Sequence, residues 1–237
     1  MPRPADPAVR GRLLDAAAGM LVRQEPVSLR RLAADVGTST MAVYTYFGGM
    51  DELMREVRRE GFRRLSEHLA DVGPTADPIA DLAALGWAYC LNAIENPALY
   101  RAMFFETTAD LTEAAFGAST FLPVVDAVER AIAAGRITAD AAWDPAVQMW
   151  MLAHGAVSLA LGGMLTVEDL VHHLEGGISA ALVGYGDDRR AVTRSLRGAR
   201  HRMLPPGGLP RLTDSGATLA AATDAARSRA TDEMNSQ

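Results

Sequence analysis

The chain has 237 residues, 49% of them hydrophobic, which suits a small domain joined to a larger one with a sizeable core. Alanine and leucine are abundant, while β-branched and aromatic residues are sparse, which favours an all-α fold over a sheet. Cys90 is the only cysteine, so an intramolecular disulfide framework and a Cys-x-x-Cys metal site are excluded. A reducing cytoplasm fits this composition, and Met1–Pro7 lacks the apolar core of a signal peptide.

The net charge of −6 is unevenly distributed along the chain. Residues 1–70 carry 11 arginines against 9 acids, residues 71–186 carry 3 against 14, and residues 187–237 carry 9 against 6. There is no lysine, so every cationic contact from a side chain requires arginine or protonated histidine. The slightly basic start permits a nucleic-acid contact but does not demand one.

Four helices are predicted in the first 70 residues. Apolar residues at helical spacing indicate a first helix from about Pro7 to Arg23. Ser28 is a good N-cap for a second helix, which Gly37 ends. Residues 38 and 39 are alternative caps for a third helix that extends to about Tyr46, and a fourth, capped by Asp51, covers 52–69.

Further helices are predicted where a capping side chain precedes proline. Asp77-Pro78, Asn96-Pro97 and Asp144-Pro145 open helices over 78–95, 97–105 and 145–161. Another helix over 119–134 ends at Gly135, and one over 167–184 begins at Thr166, with Asp169 placed close to a capping box. The amino-acid composition after Gly186 is typical of a mobile tail.

The predicted domains follow from these boundaries. Residues 1–50 form a helix-turn-helix domain, 51–72 a connecting helix, 73–186 a larger helical body, and 187–237 a flexible tail. The uncharged run 145–167 is long enough to span a bilayer, but it contains polar residues and has acidic flanks. A helix buried in protein is therefore the favoured interpretation, and we expect no membrane association.

The segment Ser28–Phe47 has the steric features of a helix-turn-helix, whose second helix enters the major groove of DNA. Ala33 is small where the two helices cross, Gly37 supplies the turn, and Val43 fills the core beneath. Side chains that remain outward suit phosphates and base edges. The candidate DNA-binding residues are Ser28, Arg30, Thr38, Ser39, Thr40, Met41, Tyr44 and Tyr46. A tight helical hairpin without DNA binding is the alternative.

The same residues resemble a known family. Ala33-x-x-x-Gly37, Val43-Tyr-Thr-Tyr-Phe47 and Asp51-Glu-Leu53 are similar to the N-terminal domain of the tetracycline-repressor (TetR) family, over about 9–58. The resemblance implies an all-helical homodimer with three small N-terminal helices, a connecting fourth helix and a divergent C-terminal domain that binds small ligands. Members of the family often carry lysine just before the fourth helix, as a phosphate contact. This chain has Gly48-Gly49-Met50 there, so Arg55 or backbone N–H groups are the candidate substitutes.

The C-terminal body offers a candidate ligand region. Trp150-Met-Leu-Ala-His154-Gly155 is similar to a Trp-x-x-x-His-Gly signature in one group of TetR-type domains. Aromatic and soft side chains also concentrate in the middle helices, as either an apolar pocket or a helical core requires. The candidate ligand-binding residues are Trp87, Cys90, Met103, Phe104, Phe121, Trp150 and His154. A core tryptophan with a histidine at a dimer interface is the alternative for the last two.

No catalytic constellation, cofactor motif or metal-ligand spacing is present; His154, His172 and His173 do not make a metal site by spacing. The sequence therefore predicts a cytoplasmic, ligand-responsive transcriptional regulator, with repression as the family's habit. As a homodimer it would bind a palindromic operator and be released by a small-molecule effector. The dimer surface is expected on the helices at 145–161 and 167–184. A helical enzyme and a protein-interaction module without DNA binding are the alternatives.

Overall fold

The computed structural model describes residues 7–23, 25–105 and 111–204, without the side chains of residue 22 and of 111–116. These residues form helices and no strand, as the composition predicts. The helices are α1 (Pro7–Val22), α2 (Leu29–Val36), α3 (Thr40–Phe47), α4 (Met50–Ala70), α5 (Pro78–Glu95), α6 (Pro97–Phe104), α7 (Leu111–Ala133), α8 (Trp143–Leu161), α9 (Val167–Gly184) and α10 (Arg189–Met203).

The chain divides into two compact units. The first comprises residues 1–70 and 95–121, and the second comprises 71–94 and 122–237. This division differs from the predicted boundaries because α6 packs against α1 and α4. The predicted boundaries between functional domains remain predictions.

The helix-turn-helix in the first unit has the local geometry that its sequence predicts. The Ser28 hydroxyl accepts a hydrogen bond from the backbone N–H of Arg31 at 3.4 Å. Gly37 ends α2 with φ 69°, in the left-handed region that favours glycine. Val43 and Phe47 are buried beneath α3, and Arg10 of α1 lies over the Phe47 ring at 5.2 Å.

Close packing joins α4 to α6 within the first unit. A Cβ atom built on Gly61 would lie 2.7 Å from the Met103 sulfur and 3.1 Å from Leu99 Cδ1. The next residue of α4, Phe62, makes an edge-to-face contact with Phe104, with ring centroids 5.4 Å apart. Glycine at position 61 thus allows the two helices to approach closely.

An ionic cluster ties three helices of the second unit together. Asp81 of α5 is 1% exposed. It accepts hydrogen bonds from the backbone and hydroxyl of Thr75, both at 2.7 Å. Arg130 of α7 donates to it at 2.8 Å and Arg202 of α10 at 3.3 Å. Burial alone raises the pKa of the Asp81 carboxyl, but these hydrogen bonds outweigh it and hold the pKa below its ordinary value.

The prediction of a flexible tail over 187–237 is wrong for Arg189–Met203, which forms α10. The Asp188 side chain caps this helix by accepting from the backbone N–H of Ala191 at 2.8 Å. Val192 and Leu196 are buried at the spacing of one helical face. The numerous arginines hide this periodicity in the sequence. Residues 205–237 lie outside the described part of the chain.

Two other predicted helix starts are wrong. Asp51 and Asp144 do not cap their helices, because α4 begins at Met50 and α8 at Trp143; each aspartate lies in the first turn instead. Asn96 precedes α6, but its side chain makes no capping hydrogen bond. In contrast, the capping box of Thr166 and Asp169 at the start of α9 is fully formed. The described helices include none with the length and apolarity that crossing a membrane requires.

Candidate nucleic-acid interface and ligand region

The exposed face of α3 is formed by Thr40, Met41, Tyr44 and Thr45. Met41 is 66% exposed and Tyr44 is 50% exposed, which is unusual for large apolar and aromatic side chains. The four residues project from one side of the helix because they lie one, three or four positions apart. Val43 and Phe47, on the opposite side, are buried. The helix therefore presents two hydroxyl-bearing threonines, a tyrosine and a methionine to solvent on a rigid support.

The remaining predicted DNA-binding residues fall around this face. Ser28, Arg30 and Ser39 are exposed, whereas Thr38 and Tyr46 are half-buried. Tyr46 lies on the flank between the exposed and buried sides of α3. Thr45 is not among the predicted residues, although its position four residues after Met41 places both on one face. Its hydroxyl donates to the Met41 carbonyl at 2.9 Å and keeps lone pairs available to accept.

Most arginines of the first unit are held in ion pairs with nearby glutamates. The paired arginines are Arg10, Arg23, Arg31, Arg55, Arg59, Arg63 and Arg64. Hydrogen bonds from Arg63 are the main reason why the pKa of Glu60 is lowered to about 2. Arg55, the candidate substitute for the missing lysine, donates to Glu52 at 2.8 Å through Nε. Arg30 is exposed and forms no ion pair with another residue that the structure describes.

A polar contact joins α5 to α8 in the second unit. The Tyr89 hydroxyl lies 2.7 Å from His154 Nδ1, and the His154 ring lies 5.0 Å from that of Trp150 between centroids. Burial lowers the pKa of the His154 imidazole, which favours its neutral form. In the neutral form the tautomer sets the direction of this hydrogen bond: Nδ1 accepts from the tyrosine hydroxyl when the second ring nitrogen carries the hydrogen, and donates to it otherwise. Tyr89 was not among the candidate residues, because its distance from His154 in sequence hides the contact.

We predict that His154 makes the stability of the protein depend on pH below neutrality. Its pKa is lowered from 6.5 in the folded protein, so the unfolded chain binds more protons as the pH falls below that value. The free energy of unfolding should therefore fall as the pH drops from about 7 to 5.5, by less than about 1.4 kcal/mol per pH unit from this group. Urea unfolding of wild type and His154→Gln at several pH values measures the difference. A variant with the wild-type slope would contradict the assignment.

The predicted ligand-binding residues are divided between the two units. Met103, Phe104 and Phe121 belong to the first unit, where Met103 is 1% exposed beside Gly61. The second unit contains Trp87, Cys90, Trp150 and His154. Of these four, Trp150 and His154 are in ring contact. Cys90 is fully buried, and burial raises the pKa of its thiol to about 12. The ligand assignments remain predictions.

Comparison with known proteins supports this architecture. Residues 82–181 match the family model for the tetracyclin repressor-like C-terminal domain. The chain is 38% identical over 79 residues to the HTH-type transcriptional repressor DrrR1 of Streptomyces coeruleorubidus. This match covers 32% of the chain and 25% of the relative, so the chain spans about a quarter of the curated relative that it matches.

Residues 82–181 therefore resemble a TetR-type C-terminal domain, and a stretch of the chain is similar to part of a transcriptional repressor.

Solved structures share the helical fold. A protein of unknown function from Rhodococcus sp. RHA1 superposes with a TM-score of 0.66 at 25% identity, covering 79% of this chain and all of that one. RolR in complex with its ligand resorcinol superposes with a TM-score of 0.60 at 15% identity, covering 87% of this chain and 97% of that one. At 15% identity the likeness to RolR concerns the fold alone.

Gly48 and Gly49 stand where the resemblance to the TetR family implies a lysine before the fourth helix. Gly48 has φ 74° and Gly49 has φ 156°, so the backbone here takes conformations that favour glycine. Asp51 and Glu52 in the first turn of α4 place negative charge at the helix N-terminus. These charges disfavour a phosphate bound to the backbone N–H groups there. The described residues contain no group of three or more His, Cys, Asp or Glu placed to hold a metal ion.

Proposed function

We propose that this protein is a TetR-type DNA-binding transcriptional repressor that acts in the cytoplasm as a homodimer and is released from a palindromic operator by a small-molecule effector. The observation that carries the proposal is the exposed face of α3. A tyrosine half exposed next to an exposed methionine is costly to leave in water and suits contacts with thymine methyl groups and phosphates. In this proposal Arg30, Ser28 and Ser39 contact the DNA phosphate backbone beside the exposed face of α3.

In this proposal, contacts to base edges and hydrogen bonds from side-chain hydroxyls contribute more to DNA affinity than non-specific electrostatic attraction does. Residues 1–70 carry 11 arginines against 9 acids, and most of these arginines are paired with glutamates, so bulk positive charge is small there. Such exposed pairs contribute only about 0 to 1 kcal/mol each, so a phosphate can compete for the guanidinium groups. Among the described residues Arg30 has no glutamate partner to exchange for a phosphate, so it is the strongest candidate among the arginines for a phosphate or guanine contact.

The proposed dimer surface lies on α8, with α9 beside it. Trp143, Trp150, Met151 and Leu159 of α8 are between 36% and 61% exposed. An apolar surface of this kind is typical of an interface between subunits. In the dimer, the partner subunit would cover these side chains, and light scattering at micromolar concentration should return twice the 25.2 kDa mass of the chain.

The proposed effector is a small molecule held by the helical body, for which RolR and its resorcinol offer a precedent in a protein of the same fold. The Tyr89–His154 pair provides a polar end and Trp150 an aromatic surface, a combination that suits a ligand with both characters. The effector would act through a different affinity for the DNA-binding and released states.

We expect Tyr44→Ala to weaken binding to DNA from the region upstream of the protein's own gene by about 10- to 100-fold, the loss of roughly 1 to 3 kcal/mol. A gel shift or anisotropy titration measures it. Leu122→Ala is the matched control, because Leu122 is 59% exposed but lies on α7. A folded Tyr44→Ala protein that binds like wild type would remove α3 as the reading helix.

A further inference from the structure

The densest positive charge among the described residues lies on α10 and not on the helix-turn-helix. Its 15 residues contain six arginines and His201 and no acid. The preceding stretch 71–186 has 3 arginines against 14 acids. A helix this basic, at the end of an acidic body, calls for a functional explanation beyond solubility.

Four of these residues form one line along the helix. Arg190, Arg194, Arg197 and His201, here called the basic stripe, follow one another at intervals of four, three and four residues, which places them on one face. All four are exposed. The buried side of α10 lies opposite and contains Val192, Leu196 and Ala199. The stripe therefore lies on the side of α10 opposite its buried face, although Arg197 also borders a cleft between α9 and α10.

The stripe differs from the other arginines in its partners. Arg200 lies 3.5 Å from Glu175, and Arg202 lies 3.3 Å from Asp81, so both are directed back to the second unit. Arg190, Arg194 and Arg197 form no ion pair with another described residue. Their charge is therefore not neutralised locally, in contrast to most arginines of the first unit.

These features favour a polyanion over a lipid surface. A basic helix that binds membranes inserts its apolar face into the bilayer, but the apolar face of α10 is already buried in the protein. The stripe extends over about 16 Å at 1.5 Å per residue. Duplex DNA carries one phosphate per roughly 3.4 Å of axis on each strand, so several phosphates fall within this length.

We propose that the basic stripe of α10 contacts the phosphate backbone of duplex DNA without reading its sequence, as a second DNA-contacting surface separate from α3. The choice of DNA as the polyanion rests on the proposed function. The contact supplies affinity for non-operator DNA that the weakly charged first unit lacks, and it leaves the preference for the operator to α3.

The test compares the full-length wild type with Arg190→Gln/Arg194→Gln/Arg197→Gln on a duplex of random sequence. Anisotropy titrations over about 50 to 200 mM salt give the slope of log affinity against log salt concentration. The slope changes by about 0.9 per phosphate contact, so the glutamine variant should be shallower by roughly 2 to 3 and bind about 10- to 100-fold more weakly near 100 mM. The matched control, Arg190→Lys/Arg194→Lys/Arg197→Lys, keeps the charge and should keep most of the slope.

An unchanged slope in the glutamine variant overturns the inference, and so does an equal loss in the lysine variant. Loss of binding to anionic phosphatidylserine vesicles with DNA binding intact would assign the stripe to a membrane and overturn it as well. If the triple variant unfolds at a lower temperature than wild type, the single variants replace it, each with an expected change of about 0.9 in slope. The preference of the wild type for operator DNA over random DNA tests the proposed function separately. The slope difference measured on random DNA does not depend on that preference.

Discussion

Replacing Asp81 by asparagine should lower the free energy of unfolding by about 2 to 4 kcal/mol. The carboxylate is 1% exposed and accepts hydrogen bonds from Thr75, Arg130 and Arg202. An amide keeps the shape but loses the charge and directs an N–H group towards donors. The loss is smaller than for a fully buried pair because the side chains of Arg130 and Arg202 are 38% and 31% exposed. Urea unfolding followed by circular dichroism gives the value.

Asp126→Asn is the matched control, because Asp126 is an exposed carboxylate on α7 and its replacement should change stability by less than about 0.5 kcal/mol. The effect at Asp81 should also depend on pH. Its pKa in the folded protein lies below the ordinary 3.8, so its contribution is present above that value and is lost as the pH falls through the lower folded value. A difference between wild type and variant that is small at pH 7 would contradict the role of the cluster.

The second large effect is expected at Gly61, where alanine should destabilise the protein by about 1 to 2 kcal/mol net. The added methyl group would lie 2.7 Å from the Met103 sulfur, and both Met103 and Leu99 are at most 2% exposed, so neither moves freely. This strain exceeds the gain of up to about 1 kcal/mol that alanine brings to a helix. Thermal and urea unfolding measure the net effect.

A double-mutant cycle with Met103→Ala separates the steric strain of the added methyl group from the helix propensity of alanine. Removing the methionine side chain makes room, so the effects of Gly61→Ala and Met103→Ala should fall short of additivity by about 1 kcal/mol or more. The matched control is Gly11→Ala on α1, where a Cβ atom would meet no other atom within 4 Å. That variant should be neutral or stabilised. Additive effects at 61 and 103 would exclude the contact as the cause.

Local signals were sufficient for the helix-turn-helix. Ser28 caps α2, Gly37 ends it in the left-handed region, and Val43 and Phe47 are buried as their spacing predicts. Each of these features depends on residues no more than a few positions away, so the pattern carries the information. The same holds for the capping box at Thr166. Gly37, Val43 and Phe47 also belong to the motifs that resemble the TetR family.

Local sequence signals did not give the exact starts of two helices or every exposed residue of α3. Asp51 and Asp144 are good caps by residue type, but α4 begins at Met50 and α8 at Trp143, one residue before each aspartate. Thr45 is exposed on α3 one turn after Met41, although it is not among the candidate residues that the sequence offered.

The sequence by itself determined the helical class, the helix-turn-helix geometry and the resemblance to the TetR family, because helix periodicity, capping and turn residues act over short distances. Only the tertiary structure decided that Arg189–Met203 is a docked helix, that Tyr89 meets His154, and that Asp81 gathers Arg130 and Arg202. These arrangements join residues 49 to 121 positions apart. Their stability comes from burial and charge pairing between helices, which no local pattern encodes.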